Sequence, residues 1–135
     1  MSLDINKFIG IPWRFRHDSF DGCDCVGLAR LFYREHGWRD DFTDGRPVTE
    51  YHSFSVWRRL YTYCVKHMQK VEISDLEYGD FVIFAIDGDI HTGVYIGYGR
   101  LLAMQVPTIE NFSKSTIYHQ AWWKPYFRYA FRRKL

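Results

Sequence analysis

The chain has 135 residues, with 18 Lys plus Arg against 16 Asp plus Glu and a net charge of +2. That length is enough for one domain, residues 1–135, with a proper core, and the charge is too small to argue for a nucleic-acid partner. No apolar run approaches the roughly 20 residues that span a bilayer. Met1-Ser2-Leu3-Asp4-Ile5 has neither the basic nor the apolar region of a secretory signal, so cytoplasmic synthesis and no membrane partner are expected. Cys23, Cys25 and Cys64 are an odd set, and the first two are too close in sequence for an unstrained disulfide. With no second Cys/His pair at finger spacing, reduced thiols are expected, with no metal and no cofactor. Five Trp, ten Tyr and eleven Phe suit an aromatic cleft for an extended ligand.

In chain order, residues 4–9 predict a short helix with Ile5, Phe8 and Ile9 on one face, ended by Gly10. Pro12-Trp13-Arg14-Phe15-Arg16-His17 is extended and leads into an Asp21-Gly22 turn. A helix follows from Cys25 to about His36, with Cys25, Leu28, Ala29 and Phe32 on one face and Gly37 as its stop. Residues 38–48 read as an exposed loop. A second helix is expected over 51–68, with Phe54, Trp57, Tyr61, Cys64, Val65 and Met68 inward and Arg58, Arg59 and Lys66 outward.

After Val71 the period changes to that of strands. Leu76-Glu77-Tyr78-Gly79-Asp80 is a turn before the apolar run 81–86, and Asp87-Gly88 is a hairpin signal. Strands over 90–96, over 101–106 up to Pro107, over 115–118 and over 126–131 complete the chain. Helices first and an antiparallel meander after make an α+β fold, with helices on one side of a sheet of about five to six strands.

Asp24 is a helix N-cap, because its carboxylate can accept from a free backbone N–H of the first turn. Cys25 then falls in that turn, where the helix dipole favours thiolate over thiol. Along the strand at 90–96, Ile90, Thr92, Val94 and Ile96 face one way and His91, Gly93 and Tyr95 the other. Small Gly93 leaves room for an approach to His91. A histidine fixed on a strand, with the cysteine helix packed on the sheet, is the arrangement of a Cys–His pair.

Gly10-Ile11-Pro12-Trp13, Asp24-Cys25-Val26-Gly27-Leu28, Leu76-Glu77-Tyr78-Gly79-Asp80-Phe81-Val82-Ile83-Phe84 and His91-Thr92-Gly93-Val94-Tyr95-Ile96-Gly97 resemble, in order, the signatures of the NlpC/P60 family of cysteine peptidases. The resemblance covers roughly residues 8–106. It implies a papain-like α+β domain, cleavage of peptidoglycan stem peptides between D-Glu and a diamino acid, Cys25 as nucleophile and His91 as general base. The helix Leu28-Ala29-Arg30-Leu31-Phe32-Tyr33-Arg34-Glu35 is similar to the phage-tail branch, which implies other tail proteins as partners and delivery to the wall by a virion.

The chain departs from the family pattern at several positions. Trp13 stands where many members have a substrate-contacting Tyr, Arg16-His17 replaces a Gly-Gly, and Val26 replaces a Ser. Trp13, Asp24, Arg16 and His17 are therefore the expected substrate-binding residues. The third catalytic position falls near Ala103, which cannot orient an imidazole. Gln105 is two residues on. A three-residue connection at 97–99 would set it opposite His91, and a two-residue connection at 98–99 would turn it away; Gln105 is assigned as the third catalytic residue on the first register. His36, His52, His67 and His119 are read as surface residues, and Cys64 as core. A structural or wall-binding module that has lost catalysis, and an acyltransferase on the same dyad, are the alternative functions.

Overall fold

Phe81-Val82-Ile83-Phe84 is buried on both faces, and the sheet is built around it. The computed structural model describes residues 4–39, 54–86, 88–105 and 113–134. After a 3-10 turn at Ile5–Phe8 come a small hairpin, β1 (Asp18–Ser19) and β2 (Gly22–Cys23), then helices α1 (Cys25–Glu35) and α2 (Phe54–His67). The sheet strands are β3 (Met68–Val71), β4 (Phe81–Ile86), β5 (Asp89–Tyr95), β6 (Leu101–Met104), β7 (Ser115–Tyr118) and β8 (Phe127–Arg133), with a short helix α3 (Gln120–Trp123) before the last. Their spatial order is β3-β8-β4-β5-β6-β7, and every pairing is antiparallel. The fold class is α+β, as expected.

The sheet separates two apolar clusters. Phe81, Ile83, Val94, Ile96, Leu102 and Met104 face α1 and pack with its Leu28, Ala29, Leu31 and Phe32. Val82, Phe84, Leu101, Ala103 and Ala130 face the other way and are covered by Trp123 of α3. The Trp123 indole donates to the Gly99 carbonyl at 3.0 Å, so its one polar atom is satisfied while its rings are buried. Each large buried side chain contributes about 1.5–3 kcal/mol.

Several expectations are corrected. The last strand does not extend the meander but inserts between β3 and β4, because β4 needs a partner on each side to pair its backbone in a doubly buried position. Met68 opens β3 and does not close α2; the edge strand Met-Gln-Lys-Val has only half a pattern, since its outer edge and two of its side chains face water. On α2, Leu60, Tyr63 and Cys64 are buried and Tyr61 packs against the same core, while Val65, expected inward, is 54 % exposed. The residue 4–9 helix is a 3-10 turn. Of the loop expected over 38–48, residues 40–48 lie outside the described residues, as do His52, Asp87, Pro107 and the side chains of Phe54 and Trp57.

Candidate active site

Asp24 caps α1 with both carboxylate oxygens: Oδ1 accepts from the Gly27 N–H at 2.6 Å and Oδ2 from the Arg16 N–H at 2.9 Å. Its own N–H donates to the His17 carbonyl at 3.1 Å. Burial is the largest influence on this carboxyl and raises its pKa, with the two backbone N–H groups opposing. The loop through Arg16 and His17 is thereby stitched across the start of the helix. The stitching requires Gly27, because a β-carbon there would run into the His17 carbonyl. Arg16 takes a left-handed φ of 62° at this crossing.

Cys25 occupies the first turn of α1, is 6 % exposed and lies in the α1-side cluster. The Leu28 N–H is taken by the Asp24 carbonyl. Cys23 is wholly buried two residues before; its thiol donates to the Ser19 carbonyl, and burial, with the Asp24 charge, pushes it up to about 12. Cys64 is also pushed up to about 12 by burial. Trp13, half-buried, bridges to Cys23 and stacks on Phe15 at 6.2 Å, with the Arg16 guanidinium 5.3 Å from the Phe15 ring. His17 is exposed, its Nδ1 donating to the Phe15 carbonyl at 2.8 Å. Trp13, Arg16, His17 and Asp24 are thus gathered around the helix start.

His91 is 5 % exposed on β5, and α1 packs directly on β5, so the elements carrying Cys25 and His91 are brought together. His91 is the direct cross-strand neighbour of Phe84. The two rings are 5.6 Å apart at 29°. The space over Gly93 is not open: Leu101 lies against it, close enough to leave no room for a β-carbon. Thr92, on the α1 side, is 1 % exposed with a hydroxyl that has no hydrogen-bond partner among the described residues.

The connection from β5 to β6 is the three-residue one, closed by bonds between Ile96 and Arg100 and between Arg100 and Gly97. Its register, Gly93↔Ala103 to Tyr95↔Leu101, extrapolates to His91 opposite Gln105. The described pairing stops at Gly93, however. Gln105 is exposed, its N–H donates to the Lys114 carbonyl at 2.7 Å, and its carbonyl accepts from the Ser113 hydroxyl. Gln105 thus continues the β6–β7 pairing by one residue. Ala103 itself is fully buried.

Other groups that shape this region have no local signal. Asp80, 1 % exposed, receives Arg132 Nε at 3.0 Å and Nη2 at 2.9 Å, which ties the turn before β4 to β8. Tyr33 of α1 donates to the Gly79 carbonyl at 2.6 Å. His36, expected at the surface, is half-buried, because its ring stacks on Phe32 and Trp38 and bonds the Phe32 carbonyl and the Tyr78 hydroxyl. Asp18 ion-pairs with Arg30 and Arg34 and anchors the hairpin to α1. Among the described residues no group of three His, Cys, Asp or Glu is placed to hold a metal ion, and no helix is long and apolar enough to cross a membrane.

The NlpC/P60 family model matches residues 10–131. Comparison with curated proteins returned no match. Among solved structures, the chain is similar to the NlpC/P60 domain of the peptidoglycan hydrolase SagA, with TM-score 0.57 and 18 % identity over 93 % of this chain and 90 % of that one. It is similar to an NlpC/P60 family protein from Bacillus cereus, with TM-score 0.56 and 24 % identity over 93 % of this chain and 36 % of that one. A lipoprotein-like NLP/P60 family protein from Staphylococcus aureus gives TM-score 0.61 and 18 % identity over 96 % of this chain and 38 % of that one. The chain thus spans well under half of the last two. At these identities the likeness shows the fold.

Proposed function

The chain belongs to the NlpC/P60 family, and from that premise we propose that it is a cysteine peptidase that hydrolyses peptidoglycan stem peptides. The observation that carries this reading is Cys25 in the first turn of a helix capped by Asp24 and packed on the strand that bears His91. The helix start supplies positive potential to a thiolate, and a nearby imidazole supplies the base.

Cys25 Sγ attacks the scissile carbonyl after giving its proton to His91. The oxyanion is held by the backbone N–H of Cys25, which points out of the helix start. The tetrahedral adduct collapses to a thioester as His91 returns the proton to the leaving amine. A water, deprotonated by His91, then attacks the thioester, and the carboxylate product leaves as Cys25 regains its proton. Trp13 offers an aromatic wall to the peptide, and Arg16 and His17 offer donors and charge to its free carboxylates. Asp24 serves by holding the helix start and the Arg16–His17 loop in place. Gln105 would take the third position by folding its amide back over the end of β5, a role supported by the three-residue connection at 97–99.

The bond cut is between D-Glu and the diamino acid, and the setting is a phage or prophage tail, whose other proteins are the partners. The α1 sequence Leu28-Ala29-Arg30-Leu31-Phe32-Tyr33-Arg34-Glu35 supports the tail assignment. Virion delivery then takes a protein made in the cytoplasm to the wall. Incubation of purified muropeptides with wild type and with Cys25→Ala, followed by mass spectrometry, tests the hydrolase. Cleavage by the wild type alone, with a new D-Glu carboxyl terminus, is the expected result, and identical intact muropeptides from both proteins would overturn it. The buried Ala103, which cannot hydrogen-bond an imidazole, favours a second reading in which the chain is a wall-binding tail module without catalysis. That reading predicts slow alkylation of Cys25 by iodoacetamide near pH 6, whereas an activated thiolate reacts fast.

A further inference from the structure

We propose that Phe84 is a positioning residue that sets the plane of the His91 imidazole, on a stretch of the sheet where Ala103 supplies no hydrogen-bonding group. The inference rests on the reading of His91 as the catalytic base. It starts from a register: Phe84 and His91 are directly paired across β4 and β5, so their side chains leave the sheet on the same face. The rings lie 5.6 Å apart at 29°, an offset stack that restricts rotation of the imidazole about its own Cβ–Cγ bond. A hydrogen bond from a third residue restricts the same rotation in other Cys–His sites.

Phe84 is itself held on every side. It is fully buried, and β4 is irregular at this point, where its pairing with β8 shifts between Ile83 and Phe84. Trp122 of α3 meets the Phe84 ring edge-on at 6.2 Å and 79°. Trp122 is in turn stacked on Tyr118 of β7 at 3.8 Å and 10°. A row of rings thus runs from β7 through α3 to β4 and ends on His91, and each ring is fixed by a different element. Ala103 lies on the same face as this row, in the same apolar cluster as Phe84. A polar third residue at 103 would have to be buried among Val82, Leu101 and Trp123 with its remaining hydrogen-bonding capacity unmet, a costly arrangement that the aromatic support avoids.

The test compares Phe84→Leu, which keeps apolar volume and loses the ring, with Phe84→Tyr, which keeps the ring, and with Val82→Ala, a buried change on the same face away from His91. The first readout is the His91 Cε1–H resonance in a proton–carbon correlation spectrum, assigned by its loss in His91→Gln. In wild type, Val82→Ala and Phe84→Tyr it should sit at the position set by the ring current of Phe84, and in Phe84→Leu it should move toward the value of an unstacked imidazole. The second readout is muropeptide cleavage, where Phe84→Leu should lower kcat by about 10- to 100-fold with KM nearly unchanged, and Phe84→Tyr should restore it. An unmoved resonance in Phe84→Leu, or an equal loss of kcat in Val82→Ala, would overturn the inference. If wild type cleaves nothing, the catalytic reading fails, and the resonance alone decides whether Phe84 orients the ring.

Discussion

The Asp24 carboxylate and the Gly27 N–H, 2.6 Å apart, make the start of α1 a single unit with the loop that crosses it. The same carboxylate takes the Arg16 N–H, so one buried side chain holds two segments of backbone. Replacing Asp24 with Ala removes both bonds. It should cost about 1–2 kcal/mol of stability, the upper part of the range for an N-cap, measured by urea unfolding. Asn keeps the acceptor for Gly27 but can turn only one oxygen to the two donors, so Asp24→Asn should fall between wild type and Ala.

Gly27 is the counterpart. A methyl group there meets the His17 carbonyl, which is itself bonded to the Asp24 N–H. Gly27→Ala should raise helix propensity and still destabilise the protein, by about 1–3 kcal/mol, as overpacking does. Thermal unfolding that rises in this variant would show that the loop moves aside freely.

Arg132 and Asp80 are separated by 52 residues and joined by two bonds, with Asp80 almost entirely buried. Removing the guanidinium leaves a buried carboxylate without its cation. Arg132→Ala should therefore cost about 3 kcal/mol or more, read from denaturant midpoints. Asp80→Asn in the same background should recover part of the loss, because it removes the charge that the fold no longer pairs.

Thr92 presents the opposite case, a buried hydroxyl without a hydrogen-bond partner among the described residues. Thr92→Val keeps the shape and removes the unmet group, so it should stabilise the fold by about 1 kcal/mol. An equal or lower denaturation midpoint would mean that the hydroxyl is satisfied.

His36 carries the pH dependence. Burial holds its pKa below the ordinary value, with the Arg133 charge adding to that effect and the Phe32 carbonyl and Glu35 opposing it. The carbonyl can only accept, so Nδ1 bears the proton and Nε2 accepts from the Tyr78 hydroxyl. A folded-state pKa below that of the unfolded chain, about 6.5, means that the unfolded state binds more protons in that window. The His36 contribution is then fully present above pH 6.5 and is lost as pH falls through the ordinary histidine range toward the depressed value. Urea midpoints at pH 7.5 and 5.5 should differ less in His36→Asn than in wild type.

Much of the site follows from local rules. An Asp before a helix start fixes where Cys25 sits, since the cap and the first turn are made within four residues. Strand alternation fixes that His91, Gly93 and Tyr95 share a face. The doubly apolar run at Phe81–Phe84 marks a central strand, because only a strand buried on both faces lacks polar alternation. The contents of each face depend on distant segments. The place of β8 beside β4 depends on pairing across some forty residues, for which Phe127–Arg133 carries no local sign. The space over Gly93, which strand alternation alone leaves open, is filled by Leu101 from the next strand. Gln105 continues the β6–β7 pairing through its N–H to the Lys114 carbonyl, a partner that comes from a later segment and that no pattern around Gln105 names. The stack of Phe84 on His91, and the Trp122 that backs it, belong wholly to the tertiary structure: aromatic contacts across β4, β5 and α3 are set by how the sheet is closed, and no periodicity in a single segment encodes them.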